Sequence, residues 1–562
     1  MSRRAALRAA FGSVLLVALA RAWPLFTCPA PCMVDFARLE GADQPLLHLS
    51  VGDGHLNAWI IAWVQHALAT APLSLFDANI FHPTPGILAG SEHLLGLALP
   101  LLPLRLFTDD AMLLHQTALA LAFVGTGVTT FALAHWLTGS PWAGFLAGAT
   151  AVLMPWRLAE LSHLQLASTT WIPLVWLLIA HTFVEGPRLV RSAALGVVVG
   201  LQLLTSYYLA YALLVSSAVL MLALLLSQRS SRTAWCHVLG AFAVPMLVLM
   251  VVSLPYLRSI DSMLVLRGQT LLSLPLGLAW NHVAPPLTLL GSTALPIAAR
   301  YETPLVVALL ALASICGGKR WTSGFWLIAV AGFVLSIGRS LVIGGVAVPM
   351  PAQLAAALLP GFDELRAPLR WGILIGLAMP VLAALGAHRI DLRVAAQGSG
   401  VTMLYRVVVV LLLAAGLVAP LIPTAAAFRE IAPDLAIYDS LRRQPEGAVL
   451  EVPWPIVAGR DASLAGEYML ASTRHWRPIL NGYTGHPPRD YEDRRREAYA
   501  LPEPAVLDEL VRTTGLRWVI VHRALLTEQE REAWDFAPMS GRVAVVDQRG
   551  DARLYEVFPP GR

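Results

Sequence analysis

The stretch from Val51 to Phe107 gathers Asp53, Asp77, Glu92, His55, His66, His82 and His93. It opens VGDGHLNAWIIAWVQHAL, closes SEHLLGLALPLLPLRLF, and is too polar to span a bilayer. Carboxylates and imidazoles move protons or hold cations, and a carboxylate at an apolar interface is tuned by desolvation toward general-base work. Asp53 is the first catalytic candidate. Gly52 and Gly54 flank it and let the backbone approach a substrate closely. The alternative is that Asp53 caps a helix formed by HLNAWIIAWVQHAL, and the two roles are compatible. Trp59, Trp63 and His66 follow at spacings of four and three, which puts them on one helix face. Such rings stack on sugars or lie in the aromatic belt of a membrane interface. Glu92 and His93, in AGSEHLLG, begin a second amphipathic helix and offer a second carboxylate or a metal ligand; solvated acids at a helix start are the alternative. No HxxH, HExxH or CxxC spacing points to a particular metal, so a divalent cation is left open as the cofactor.

The elements that must position these residues are mostly membrane helices. The chain has 562 residues, 57% of them hydrophobic and 14% charged, with mean hydropathy +0.64. Soluble domains carry about 25% charged residues, so this is a polytopic membrane protein. A net charge of +4 on so long a chain does not point to nucleic acid. MSRRAALR followed by FGSVLLVALA reads as a signal peptide or an uncleaved first helix reaching Phe26, and the second is favoured. Further apolar segments lie at 111–136, 141–156, 168–185, 191–206, 208–227, 237–256, 304–316, 323–338, 371–387 and 403–423, giving about eleven spans. With the N-terminus inside, EGPRLVR, SQRSSR, GGKRW and HRIDLR all fall on the cytoplasmic side, as the positive-inside rule requires. The loop 27–110, the loops 257–303 and 338–370 and the tail then face outward, where Cys28 and Cys32 either pair or stay as thiols.

From Thr424 charged residues become frequent, and strand-like AVLEVPW, LRWVIVH and GRVAVVD alternate with helical EPAVLDELVRTTG. Residues 424–562 therefore read as a soluble α/β domain following a membrane domain at 1–423. Its TRHWRPILNGYTGHPPRDY stretch suits an acceptor-binding lip or an ordinary polar loop.

Several arginines sit on the outer side against the charge bias: Arg157, Arg258, Arg267, Arg300, Arg339, Arg366 and Arg370. In MPWRLAELSHLQL, Arg157 and Glu160 are spaced to pair, with His163 one turn on. In FDELRAPLRW, Arg366 and Arg370 lie four apart and suit a phosphate leaving group, unless Asp363 or Glu364 holds them. Ionisable residues are nearly absent from the span centres, which weighs against a proton-coupled pump.

In architecture the chain resembles the GT-C superfamily of membrane glycosyltransferases: a cytoplasmic N-terminus, a first helix, a long outer loop with an early acid, many spans and an outer C-terminal domain. VGDGHLNAW, IFHPTPG, SHLQLASTTWIPLVWLL, GFDELRAPLRW and RPILNGYTG are more closely similar to the bacterial YfhO-like membrane proteins. The resemblance implies transfer of a sugar from a polyprenyl-phosphate donor to an acceptor outside the bacterial cytoplasmic membrane, with Asp53 as base or metal ligand. From the residues themselves, Glu92 is the second catalytic candidate, and His55, Trp59, His93, Arg157, His163, Arg366 and Arg370 are the substrate-binding candidates. The competing classes are a lipid-linked sugar transporter or flippase, which calls for broken helices, inverted repeats and mid-membrane charges, and a scaffold that has lost catalysis.

Overall fold

Apolar stretches in hydrocarbon must satisfy every backbone N–H and C=O within themselves, and a helix does this within one segment. The computed structural model describes residues 2–27, 32–34, 45–226, 231–259, 303–316, 319–343, 346–365, 367–418, 428–430, 435–455 and 461–559. Among them, six helices are long and apolar enough to cross a membrane: Arg4–Phe26, Ala111–Thr138, Leu164–Glu185, Tyr207–Leu226, Arg232–Arg258 and Pro368–Ala395. Shorter apolar helices occupy the other expected segments: Pro141–Leu153, Leu189–Leu203, Trp321–Ser336 and Ser399–Ala415, and Leu305–Ala313. Cys28, Arg267, Arg300, Arg366 and most of the expected 257–303 loop lie outside the described residues.

The chain divides into two compact units. The first consists of Met1–Thr27, Gln116–Val251 and Arg267–Thr424. Its centre is the helix Gly372–Ala395, buried on all sides from Gly372 through Ala387. Leu305–Ala313, Lys319–Ser336 and Pro141–Leu153 pack around it. A helix apolar on every face belongs in such a central position.

The second unit joins Cys28–His115, Val252–Leu266 and Ala425–Arg562. It contains a four-stranded sheet in the order Ala448–Val452, Leu516–His522, Ala552–Val557, Val543–Arg549; the first pair is parallel and the others antiparallel. The AVLEVPW, LRWVIVH and GRVAVVD runs supply three of these strands, and EPAVLDELVRTTG forms the helix Pro504–Thr514. Pro504 starts that helix where a missing N–H costs nothing, and Gly515 ends it with φ 66°. Leu450, Val519, Val521, Leu507, Leu510, Trp534 and Tyr555 form the core between sheet and helices.

Residues 478–480 run beside Ala448–Val452, with Val449 N–H donating to the Pro478 carbonyl (2.9 Å) and Leu480 N–H to the Val449 carbonyl (2.9 Å). The far edge of this segment meets residues 79–82. Ile479 N–H donates to the Asn79 carbonyl (2.7 Å), His82 N–H to the Ile479 carbonyl (3.0 Å) and Phe81 N–H to the Asn481 carbonyl (3.0 Å). Backbone of residues 79–82 is thus hydrogen-bonded to backbone of residues 479–481. Such pairing covers a sheet edge that would otherwise be open to other chains.

Candidate active site

Asp53 lies about two turns inside a helix that runs Pro45–Thr70. It is therefore not the cap of a helix beginning at His55. Its Oδ1 accepts a hydrogen bond from the Tyr483 hydroxyl at 2.8 Å. Asp53 is half-buried and Tyr483 buried. The helix Asp461–Ser472 packs against Pro45–Thr70, and contact is close because Gly466 faces His55: a Cβ at Gly466 would lie 2.7 Å from the His55 Cβ. His55 is fully buried, with Nδ1 3.3 Å from the Ser463 carbonyl oxygen.

The RPILNGYTG segment reads almost residue by residue. Arg477 donates to the carbonyls of Pro445 (2.6 Å) and Gln444. Ile479 and Leu480 are buried. Asn481 clasps the backbone of Glu451, accepting its N–H (2.8 Å) and donating to its carbonyl (3.0 Å). Gly482 receives the Phe81 ring, whose atoms would stand 2.5 Å from any Cβ there. Tyr483 then reaches Asp53.

Glu92 is half-buried in the irregular turn before the helix Leu95–Leu101. The expected helix therefore starts three residues later than Glu92, after Leu94 in left-handed conformation at φ 49°. His93 Nδ1 accepts the Leu95 N–H at 3.2 Å, and burial pulls its imidazole down to about 4. It is thus a neutral ring near neutral pH. Tyr256 meets it edge-on at 6.3 Å between ring centres and donates its hydroxyl to the Ser91 carbonyl at 2.8 Å.

Trp59, Trp63 and His66 do share a face, but protein covers it. Trp59 is 1% and Trp63 8% exposed. Trp59 stacks on Trp63 at 6.1 Å, and Trp476 from the tail lies 5.9 Å from Trp63 and stacks on His66 at 4.3 Å. Trp476 has φ 56°, an unusual conformation for a bulky residue that this stacking holds in place.

Arg157, His163 and Arg370 belong to the other unit. Arg157 does not form the expected pair with Glu160. It donates to the carbonyls of Ala151 (2.8 Å) and Ala167 (2.9 Å) and to Thr169 Oγ1 (2.5 Å), while Glu160 lies 2.8 Å from His163 Nδ1. The Arg370 guanidinium lies 4.9 Å from the centre of the Tyr208 ring. Arg366, its expected companion, lies outside the described residues. Among the described residues no group of three or more His, Cys, Asp or Glu side chains is placed to hold a metal.

Two features escaped the sequence reading. Tyr483 had no local signal, because its partner is 430 residues away. Glu451 did have one, as a lone acid in the apolar run AVLEV. It is fully buried, accepts the Tyr438 hydroxyl at 2.9 Å and stands 2.6 Å from His522 Nε2.

The architecture is that of a mostly helical, multi-pass membrane protein. The chain is similar to the cryo-EM structure of the arabinofuranosyltransferase AftD from Mycobacteria, with TM-score 0.60 and 14% identity over 100% of this chain. It is likewise similar to the second class of a mutant of that enzyme, with TM-score 0.58 and 14% identity over 99% of this chain. It spans only 40% and 42% of the length of those two chains. At this identity the likeness is one of fold. No family model matches the chain, and no curated protein matches it.

Proposed function

We propose that the chain is a membrane glycosyltransferase of the GT-C type, nearest to the YfhO-like proteins, that moves a sugar from a polyprenyl-phosphate donor to an extracytoplasmic acceptor. In this reading about eleven helices cross the bacterial cytoplasmic membrane. Residues 1–423 form the membrane domain with outer loop 27–110, and residues 424–562 form an outer α/β domain. Asp53 takes the proton from the acceptor hydroxyl or holds a metal that does so, and Glu92 is the second carboxylate. Arg366 and Arg370 carry the donor phosphate, for which a guanidinium fork is well shaped. His55, Trp59, His93, Arg157 and His163 line or support the substrate site.

The observation that carries the proposal is the hydrogen bond from Tyr483 to Asp53. It joins the two stretches that sequence reasoning singled out separately, and it aims a carboxylate that is still partly open to solvent. A general base needs this combination of fixed orientation and access. The fold shared with an arabinofuranosyltransferase supports the same class. The test is transfer by the purified full chain from a panel of polyprenyl-phosphate sugars to a saccharide acceptor. Transfer from at least one donor, lost in Asp53→Asn, is expected; a folded protein inert with every donor, with and without divalent metal, would overturn the reading.

A further inference from the structure

An arginine near the end of a membrane helix normally extends its head group to water. Arg21 does not. It lies on the same stripe as Val14, Ala18 and Leu25, all buried, and is itself 5% exposed. Among the described residues, none of its three guanidinium nitrogens has a hydrogen-bond partner. Arg157 is wholly buried, and the oxygens it donates to are the neutral ones of Ala151, Ala167 and Thr169. Its guanidinium lies 4.6 Å from the Trp156 ring and 5.9 Å from the Phe123 ring. Arg21 is close enough for its charge to oppose that of Arg157.

Two like charges are therefore buried in one region with no carboxylate bonded to either among the described residues. Arginine does not escape by losing its proton in ordinary conditions, and burying an unpaired guanidinium is strongly unfavourable. The backbone around Arg157 is also irregular. The helix Pro141–Leu153 ends at Met154, and only the short helices Trp156–Ala159 and Leu164–Ala167 intervene before Trp171–Glu185. Broken backbone between membrane helices persists where protein or a ligand satisfies it.

We propose that Arg21 and Arg157 form a buried receptor for a phosphate-class anion carried on a lipid. Guanidinium forks match phosphate oxygens, and Arg21 keeps its full set of donors for that purpose. A lipid fits the approach, because only 28% of the most apolar window of the helix carrying Arg21 is buried inside the protein. The proposal rests on the membrane-protein part of the functional reading and not on sugar transfer.

The test uses the full chain purified in a non-ionic detergent, with thermal unfolding followed against added polyprenyl phosphate, phosphatidylglycerol, diacylglycerol and inorganic phosphate. A ligand that binds only the folded state raises the midpoint. A rise with at least one lipid phosphate and none with diacylglycerol is expected, and Arg21→Met should weaken that binding at least about tenfold, one guanidinium–phosphate contact. The lipid giving the larger shift distinguishes a carrier lipid from bulk membrane phospholipid, and either supports the site. An equal response in Arg21→Met overturns the proposal. So does Arg21→Met melting above wild type in every condition, which marks Arg21 as an uncompensated charge, or a response to inorganic phosphate alone, which removes the lipid. Arg21→Lys, which keeps charge but loses the fork, should bind with intermediate affinity and serves if Arg21→Met does not fold. Absence of sugar transfer would leave these shifts unchanged.

Discussion

In the unit that holds Asp53, polar side chains meet partners drawn from far along the chain: Tyr483 for Asp53, the Ser463 carbonyl for His55, His522 for Glu451. Among the described residues of the unit that holds Arg157, the buried cations Arg21 and Arg157 meet neutral oxygens or nothing. The contrast bears on what each region is built to do. A carboxylate whose orientation is fixed by the fold is ready for proton transfer before substrate arrives, which is the condition for efficient general-base catalysis. A cation left unpaired by the fold is completed by what binds it. One region is preorganised; the other depends on a ligand.

The strongest way to break the comparison is at Asp53 itself. Asp53→Asn keeps the size and can still accept from Tyr483, but it loses the proton acceptor. Turnover should fall by roughly 10² to 10⁴, with expression and melting temperature near wild type. Full transfer by the Asn variant would remove Asp53 from catalysis and make Glu92 the next carboxylate to replace.

Tyr483→Phe comes next. It deletes one hydroxyl donor to a carboxylate, a bond worth about 1.5 to 3 kcal/mol, so turnover should fall by roughly 10- to 150-fold. If Tyr483 acts only by aiming Asp53, the double variant Asp53→Asn with Tyr483→Phe should be no slower than Asp53→Asn alone. Additive losses would mean that Tyr483 does something independent.

His93 gives a prediction read by pH. Its folded-state value is about 4 against an ordinary 6.5, because burial disfavours the charged ring. The unfolded chain therefore binds this proton first, and stability rises with pH wherever that is so. The contribution is complete above about pH 6.5, and up to about 3 kcal/mol is lost as pH falls toward 4. His93→Asn, which offers Oδ1 in place of Nδ1 to the Leu95 N–H, should flatten the decline in melting temperature between those limits. A slope identical to wild type would assign acid sensitivity elsewhere, with His475, held at about 3 by burial and then by the Arg477 charge, as the next ring to replace.

How much of this was legible in the sequence depends on the distance over which each feature is determined. The helices in the apolar segments were readable because apolar runs have few other solutions in a membrane. The strands of the tail and the helix Pro504–Thr514 were readable from alternation and from Pro and Gly at the two helix ends. The start of the helix carrying Asp53 was not. Gly52 and Gly54 each cost a helix about 1 kcal/mol relative to Ala, so VGDGH reads as a break, while packing against Asp461–Ser472 carries the helix through it. The turn at Glu92 and His93 was misread as a helix start because nothing local announces Leu94 at positive φ. The Trp59–Trp63–His66 face was correctly assembled, but its cover, Trp476, comes from the tail. No periodicity reports a partner that distant.

The smallest effect serves as the control that separates aiming from stability. Thr527 begins the helix Glu528–Phe536 with a reciprocal cap: its side chain accepts the Glu530 N–H, and the Glu530 carboxylate accepts the Thr527 N–H at 2.8 Å. Both bonds are exposed, and Thr527 belongs to the same unit as Asp53 and Tyr483. Thr527→Ala should cost about 1 kcal/mol of stability and should leave turnover unchanged at temperatures below the melt. If stability of this unit alone limited turnover, Thr527→Ala and Tyr483→Phe would both slow transfer. If Tyr483 aims Asp53, both variants melt below wild type, and only Tyr483→Phe is slow.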